Sequence, residues 1–175
     1  MSILKIAKIG HPVLFKEADT VNSISKAEIK KLVMDMSETL LDANGIGLAA
    51  PQVYVSKKII IFRLDEESQI NNKVKIRVLV NPSFKNKGKE YEEDWEGCLS
   101  IPGMIGKVKR FKNIIYQGYD LKGRLIKEDA SGIQARVIQH ECDHLNGILY
   151  TSKLVDPKYF GFADEIRNSI KNEKE

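Results

Sequence analysis

The stretch "SGIQARVIQHECDHLNG", residues 131–147, predicts a helix that carries two of the chain's three histidines. Ser131 and Gln134 have the spacing of an N-terminal capping box. Asn146 and Gly147 form a typical C-terminal stop, because glycine accepts the left-handed conformation in which many helices end. The helix is therefore expected to run between these two signals.

The two histidines of this helix are expected on one face. Each residue of an α-helix turns by about 100°, so His140 and His144 lie roughly 40° apart and both rings can reach one ion. Glu141 lies beside them, where a carboxylate can act as general base on a water, as in the H-E-x-x-H motif. Cys142 lies on the opposite side, and we expect it to be a buried core residue rather than a ligand of that ion.

Two further helices are predicted. Residues 23–45 indicate an N-terminal helix, with a capping box at Ser25 and Glu28 and a stop at Asn44-Gly45. Residues 161–172 indicate a C-terminal helix. The residues of the N-terminal helix that recur at helical spacing and should face the core are Ile29, Leu32, Val33, Met36 and Leu40.

The middle of the chain predicts strands, because it is rich in β-branched residues and turn signals. Together with the helices this indicates an α+β fold, with antiparallel β-sheets around a central metal-binding HExxH helix. The strands are expected at residues 57–64, 73–82 and 106–120, with a turn at 68–72 and a hairpin from "LKGR" into "LIKEDA".

Length and composition indicate a single domain, residues 1–175, in which residues 157–175 form a peripheral tail. The net charge of +4 is too mild to predict specific nucleic-acid binding. The chain's start does not resemble a signal peptide, and no apolar run is long enough to cross a bilayer. We therefore expect a cytoplasmic protein with two free thiols and no membrane partner.

The third ligand of a metal site is left open by the helix itself. A catalytic zinc site has three protein ligands and one open position. No histidine follows His144, and Tyr150 stands where the last histidine of a metzincin would be. Asp164 or Glu165 could complete a thermolysin-like peptidase site. Cys98, in "WEGCLSIPG", offers a thiolate instead, which is a strong ligand for a borderline-soft ion.

Three stretches together resemble the motifs of the peptide deformylase family: "GIGLAAPQ" (45–52), "EGCLS" (96–100) and "QHECDHLNG" (139–147). Their order and separations are also similar to those of the family, over most of the chain. The run "QARVIQHE" is similar to the mitochondrial and alphaproteobacterial branch. A dinucleotide fingerprint in "GIGLAAPQ" is disfavoured, because that fingerprint must follow a strand and here the stretch follows a helix.

The resemblance implies an enzyme that removes the N-formyl group from the initiating methionine of nascent peptides. Cys98, His140 and His144 would bind one divalent ion, with Fe(II) as the native metal and Zn(II), Ni(II) or Co(II) as replacements. A metal-bound water would be the nucleophile. Glu141 would take a proton from this water and later deliver it to the departing amine. The side-chain amide of Gln52 and the backbone N–H of Leu99 would stabilise the oxyanion.

The same resemblance implies that the peptide docks as an added strand, since glycines let its backbone approach closely. The expected substrate-binding residues are Ile46, Gly47, Gly97, Ile133 and Val137, with ordinary core packing as an equal alternative for Ile133. Arg136 occupies a position that is apolar in many family members, so the shape of the methionine pocket is expected to differ.

Asp143 is expected to form a buried pair with Arg110, or to orient a loop. The family's C-terminal helix can contact the ribosome. Residues 157–175 hold four basic and four acidic side chains, so no strongly positive surface for RNA binding is predicted there. A catalytically silent binding protein is disfavoured because Glu141 and Gln52 are both present.

Overall fold

The computed structural model describes residues 2–64 and 74–172. Within these ranges three α-helices and eight strands form the α+β fold that the sequence predicts. The predicted turn at 68–72 lies outside the described residues. The helices are α1 (Ala27–Asp42), α2 (Gly132–Leu145) and α3 (Ala163–Asn172), and the strands are β1 (Gly47–Ala49), β2 (Ile59–Arg63), β3 (Ile76–Asn86), β4 (Tyr91–Cys98), β5 (Ile101–Phe111), β6 (Asn113–Tyr119), β7 (Leu125–Ser131) and β8 (Phe160–Phe162).

The larger sheet has five antiparallel strands in the order β1-β2-β3-β6-β7. Its strand β2 is buried on both faces, which explains its continuous apolar run. Ile60 and Phe62 belong to the core cluster that contains α2, whereas Ile59 and Ile61 belong to the cluster that contains α1. Burial of each such side chain stabilises the folded state by about 1.5–3 kcal/mol relative to leaving it exposed. The two helices therefore pack on opposite faces of this sheet.

The smaller sheet has three antiparallel strands in the order β4-β5-β8. The pairing of β4 with β5 runs regularly from Tyr91 opposite Phe111 to Gly97 opposite Ile105, and then shifts register. After the shift Cys98 lies opposite Ile101. Cys98 is therefore placed at the tip of a hairpin, where regular pairing ends and a side chain can turn away from the sheet.

Helix α2 lies between the two sheets. Ala135, Ile138, Cys142 and Leu145 belong to the same core cluster as β2 and β3 of the larger sheet. The other side of the helix makes polar contacts with the smaller sheet, where Arg136 donates to the carbonyl oxygens of β4 and β5. The predicted central position of this helix is confirmed, and so is the burial of Cys142.

The ends of α1 differ from the prediction. The helix begins at Ala27, and its N-cap residue, Lys26, makes no side-chain capping bond, so the capping box at Ser25 and Glu28 is wrong. At the other end Asn44, with φ of 49°, adopts the left-handed conformation that was expected of glycine. The predicted core face is confirmed at Ile29, Val33, Met36 and Leu40, while Leu32 is only partly buried.

The ends of α2 agree with the prediction in position but not in every contact. Ser131 is the N-cap residue, but its side chain makes no capping bond, so the capping box with Gln134 is wrong. The stop at Gly147 is confirmed, with φ of 68°. A Cβ atom there would lie 2.6 Å from the carbonyl carbon of Phe15, so this position requires glycine for its conformation and for its space.

Two of the strand predictions differ from the structure. The expected strand at 106–120 is two strands, because β5 ends at Phe111 and β6 begins at Asn113 in the other sheet. The strand expected at 73–82 begins and ends later, as β3. The hairpin through "LKGR" is confirmed as β6–β7, and the C-terminal helix is confirmed as α3. Within the described ranges no helix combines the length and hydropathy needed to cross a membrane.

Candidate active site

Three candidate metal ligands meet where β4 ends against α2. Cys98, His140 and His144 each offer a ligand atom, and all three atoms lie within 4.8 Å of one another. The two histidines are adjacent on α2 because of their four-residue spacing, and the hairpin tip brings the cysteine to them. Cys98 and Cys142 are both free thiols, as predicted.

His140 is oriented by a carboxylate. Its Nδ1 lies 2.9 Å from Oε2 of Glu96, and its ring stacks on Tyr150 at 5.9 Å between centroids. Because Nδ1 is engaged, Nε2 is the nitrogen that can bind an ion. Burial disfavours the charged ring, but Cys98 and Glu96 raise the pKa of His140 well above its usual value. A proton therefore competes with a cation for this nitrogen.

His144 is held less tightly. Its Nε2 lies 3.3 Å from Sγ of Cys98, whereas its buried Nδ1 has no hydrogen-bond partner in the part of the chain that the structure describes. Burial lowers the pKa of His144 well below its usual value, so the ring is neutral, as a metal ligand must be.

The donor set fits a divalent transition metal. The 3.3 Å between Sγ of Cys98 and Nε2 of His144 suits two ligands of one ion, whose usual bond lengths are about 2.0–2.1 Å to nitrogen and about 2.3 Å to sulfur. One sulfur with two imidazoles suits Fe(II), Zn(II), Co(II) or Ni(II) better than a hard cation such as Mg²⁺. Three protein donors also leave room for a further ligand.

A buried network of charges lies behind His140. The two oxygens of Glu96 accept from Nε and Nη2 of Arg110 at 2.8 and 2.9 Å. Arg110 also binds Asp143, which confirms the predicted pair, and Asp143 accepts a further bond from Lys153. Although burial favours the protonated form of Glu96, the hydrogen bonds from Arg110 and His140 hold its pKa far below the usual range. Glu96 is therefore an anion.

Glu141 is buried, and within residues 2–64 and 74–172 its Oε2 atom has no hydrogen-bond partner. Its carboxylate lies over Gly47, where a Cβ atom would come within 2.4 Å of Oε1. Burial, together with the negative charge of Glu96, raises the pKa of Glu141 to about 7 against the opposing effect of His140. Such a carboxylate can exchange a proton near neutral pH.

Gln52 and Leu99 border the same site. Oε1 of Gln52 accepts from the backbone N–H of Ala49 at 2.8 Å, which fixes the orientation of the amide. Its Nε2 then points to Sγ of Cys98 at 3.4 Å and to Oγ of Ser100 at 3.2 Å. Lys8 donates to the carbonyl of Leu99 at 2.8 Å and so holds the hairpin tip in place.

A cleft of about 780 Å³ opens above these groups. Its floor contains Cys98, His140 and Glu141. All five residues predicted to bind substrate line it, with Val137 half-buried and Ile133 60% exposed. The predicted substrate residues that the fold brings to the walls are Ile46, Gly47, Gly97, Ile133 and Val137.

Several residues of the site were not found from the sequence. One wall of the cleft is formed by α3 through Ala163, Arg167 and Ile170, whose helical spacing was the available signal. Glu96, the partner of His140, lies inside the motif "EGCLS", but nothing in the sequence joins it to a residue 44 positions later.

The alternative ligands from α3 are not supported. Asp164 and Glu165 are exposed at the start of α3, and the described ligand cluster contains Cys98 instead of either of them. A thermolysin-like arrangement is therefore disfavoured. Arg136, which was expected to shape the methionine pocket, lines the cleft but is buried and bonded to Glu96.

A thiol and two imidazoles beside a buried carboxylate, at the floor of an open cleft, define a candidate metal-dependent hydrolase. Comparison with known proteins gives the family. The polypeptide deformylase family model matches residues 3–159, and the chain belongs to the peptide deformylase family, enzymes that remove the N-formyl group from peptides.

Similar proteins support this assignment over nearly the whole chain. Peptide deformylase 1 of Nitrosomonas europaea is 43% identical over 166 residues, 94% of each chain. Peptide deformylase 1 of Bordetella pertussis is 40% identical over 161 residues, 91% of this chain and 92% of that protein. The peptide deformylase structure of Thermotoga maritima has a TM-score of 0.79 at 33% identity, covering 88% of this chain and 99% of that one.

Proposed function

We propose that the protein hydrolyses the N-formyl group from the initiating methionine of nascent polypeptides in the cytoplasm, as a single catalytic domain. One observation carries the proposal beyond family membership: Cys98, His140 and His144 converge beside the unpaired carboxylate oxygen of Glu141, within one cleft. Each of these groups has a use in hydrolysis of an amide.

Cys98, His140 and His144 would hold one divalent ion, with Fe(II) in the cell and Zn(II), Ni(II) or Co(II) as replacements. When bound, such an ion supplies Lewis acidity, which polarises a carbonyl oxygen and makes water a better nucleophile. Glu96 keeps Nδ1 of His140 occupied, so that Nε2 stays available as the ligand atom.

Glu141 acts first as general base and then as general acid. It accepts a proton from the attacking water and delivers that proton to the amine that leaves. Its burial and a pKa of about 7 support both steps, because the group can hold or release a proton at neutral pH. The unpaired Oε2 is the atom that can face the water.

Gln52 and Leu99 stabilise the oxyanion that forms on the formyl carbon. The bond from Ala49 fixes the Gln52 amide with its NH₂ group towards Cys98, so no reorientation is needed as charge develops. The backbone N–H of Leu99, at the hairpin tip, supplies the second donor. Fixed donors of this kind are worth about 2.7–4 kcal/mol each in the transition state.

The peptide lies along the backbone of Ile46, Gly47 and Gly97, and its methionine side chain packs on Val137 and Ile133. A similar structure, the class I type b peptide deformylase of Acinetobacter baumannii, has Met-Ala-Ser bound, with a TM-score of 0.78 at 34% identity. That peptide is formyl-Met-Ala-Ser without its formyl group, which supports a peptide substrate here. In a folded Val137→Trp variant we expect a higher KM, and an unchanged KM would contradict this pocket.

A ribosome contact through residues 157–175 also stays a prediction. Comparison of ribosome pelleting by the full chain and by a chain that ends at Pro157 would test it. Undiminished pelleting of the shorter chain would contradict it.

The proposed function is tested with protein purified without oxygen, loaded with Fe(II) and assayed on formyl-Met-Ala-Ser. Cys98→Ala should lose both the bound ion and the release of formate. Cys142→Ala is the matched control, because it removes the same thiol from the core side of α2. We expect this control to retain both properties. Hydrolysis at an undiminished rate by Cys98→Ala, or no hydrolysis by the loaded wild-type protein, would contradict the proposal.

A further inference from the structure

Arg136 is a buried cation that the proposed reaction does not use. It lies on α2, one turn before His140, and only 5% of its surface is exposed. Removing a guanidinium from water is costly unless its donors find partners. The partners that it has therefore indicate its role.

The partners of Arg136 lie on two strands of the smaller sheet, β4 and β5. Its Nη1 donates to Oε1 of Glu96 at 2.9 Å and to the carbonyl of Val108 on β5 at 2.9 Å. Its Nη2 donates to the carbonyl of Glu92 on β4 at 2.8 Å. The side chain thus ties α2 to the smaller sheet at the strand that carries Glu96.

Glu96 is held from two sides. Oε1 accepts from Arg136 and also from Nε of Arg110, while Oε2 accepts from Nη2 of Arg110 and faces Nδ1 of His140. Arg110 belongs to β5 and is joined to α2 through Asp143, so it links Glu96 to the helix indirectly, whereas Arg136 bonds to Glu96 from α2 itself. Arg136 belongs to the same helix as His140. Glu96 therefore contacts α2 at two residues that are one turn apart, Arg136 and His140.

We propose that Arg136 is a positioning residue of the metal site, which locks Glu96 against α2 so that His140 keeps Nε2 aimed at the ion. This inference rests on the proposed ligand set of Cys98, His140 and His144, but not on the reaction itself. Partners that orient a metal-binding histidine typically change metal affinity by about 10–100-fold when they are removed.

The first test measures Zn(II) affinity by competition with a chelator, on the full chain of wild type and Arg136→Met. We expect the variant to bind Zn(II) about 10–100-fold more weakly, and its Co(II)-loaded form to show an altered visible spectrum. Gln139→Met is the matched control. Gln139 is also buried on α2 and bonds to the backbone of β5, through both groups of Phe111, but it does not contact Glu96. We expect this control to lose stability while it keeps its Zn(II) affinity.

The second test is a double-mutant cycle with Glu96→Gln, in which each affinity is measured on Zn(II). If Arg136 acts through Glu96, Arg136→Met should add little to the loss that Glu96→Gln causes. Equal losses in both backgrounds would overturn the inference, because they would mean that Arg136 affects the site only through the fold.

Arg136→Lys is used where Arg136→Met does not fold. Lysine keeps the charge but carries its donors on one nitrogen, whereas Arg136 reaches its partners from two, Nη1 and Nη2, so we expect a smaller but measurable loss of affinity. Affinity equal to wild type in the folded variant would overturn the inference. If the wild-type protein bound no Zn(II), the proposed function itself would fail. If wild type and Arg136→Met bound Zn(II) equally, only the inference would fail.

Discussion

The two faces of α2 are equally buried but are built from opposite chemistry. The site face carries Arg136, His140, Glu141 and His144, and the core face carries Ala135, Ile138, Cys142 and Leu145. Every one of these side chains is at most 7% exposed. The core face is stabilised by apolar packing, whereas the site face depends on hydrogen bonds. Burial alone therefore does not distinguish the residues of the candidate site from those that only stabilise the fold.

Unpaired polar atoms do distinguish the two faces. On the site face, Oε2 of Glu141 and Nδ1 of His144 are buried without partners among the described residues, which costs free energy and is typical of functional groups. The same low-dielectric surroundings act differently on the core face. There burial raises the pKa of the Cys142 thiol far above its usual value, so it stays protonated and inert.

The largest difference between the faces is expected from Glu141→Gln. This change keeps the size of the side chain but removes the proton carrier, and general acid–base groups typically contribute about 10²–10⁴-fold. We expect kcat to fall by that factor while the bound metal, measured by elemental analysis, is unchanged. Glu93→Gln, on the exposed side of β4, is the control and should leave kcat unaltered. A Glu141→Gln variant with normal kcat would show that the site face lacks the general base.

A smaller loss is expected from Gln52→Glu. The substituted side chain can still accept the bond from Ala49, but it can no longer donate to an oxyanion. Loss of one such donor typically lowers kcat by about 10²–10³-fold. Steady-state assays on formyl-Met-Ala-Ser would measure the change. Gln117→Glu, exposed on β6, serves as control. A loss confined to KM would contradict the role of Gln52 in the transition state.

The core face was the easier part to predict from the sequence. Cys142 could be placed in the core because a helix fixes the angle between residues that are close in sequence. The same local rule placed His140 and His144 together. The local capping rule failed at both helix starts, because the N-cap residues Ser131 of α2 and Lys26 of α1 make no side-chain capping bond.

The residues that hold the candidate metal ligands in place could not be predicted in the same way. Glu96 meets His140 only because β4 and α2 pack together, and no spacing rule joins residues on different elements. The break between β5 and β6 was missed for a similar reason. The residues on either side of Lys112 alternate as one strand would, yet they belong to different sheets. The buried role of Arg136 depends on both packing events.

Gly47→Ala tests whether the site face needs empty space as well as chemistry. The added Cβ would lie 2.4 Å from Oε1 and 2.9 Å from Cδ of Glu141, so the carboxylate must move. A displacement of about 1 Å in a catalytic group can cost up to about 10²-fold in rate. We expect kcat to fall within that limit, with folding intact by circular dichroism. Gly161→Ala is the control, since its nearest neighbour atom is 3.5 Å away. Full activity in Gly47→Ala would mean that Glu141 tolerates another position.

The smallest effect on activity is expected on the core face itself. Ile138 is fully buried against the larger sheet, two residues before His140. Ile138→Val removes one methylene group and should lower the free energy of unfolding by about 0.5–1.5 kcal/mol, measured by urea denaturation. Because its side chain points away from the cleft, kcat and Zn(II) affinity should match wild type. If kcat fell by tenfold or more while the variant stayed folded, the two faces would be coupled through the helix, and the separation of packing from chemistry argued for α2 would be wrong.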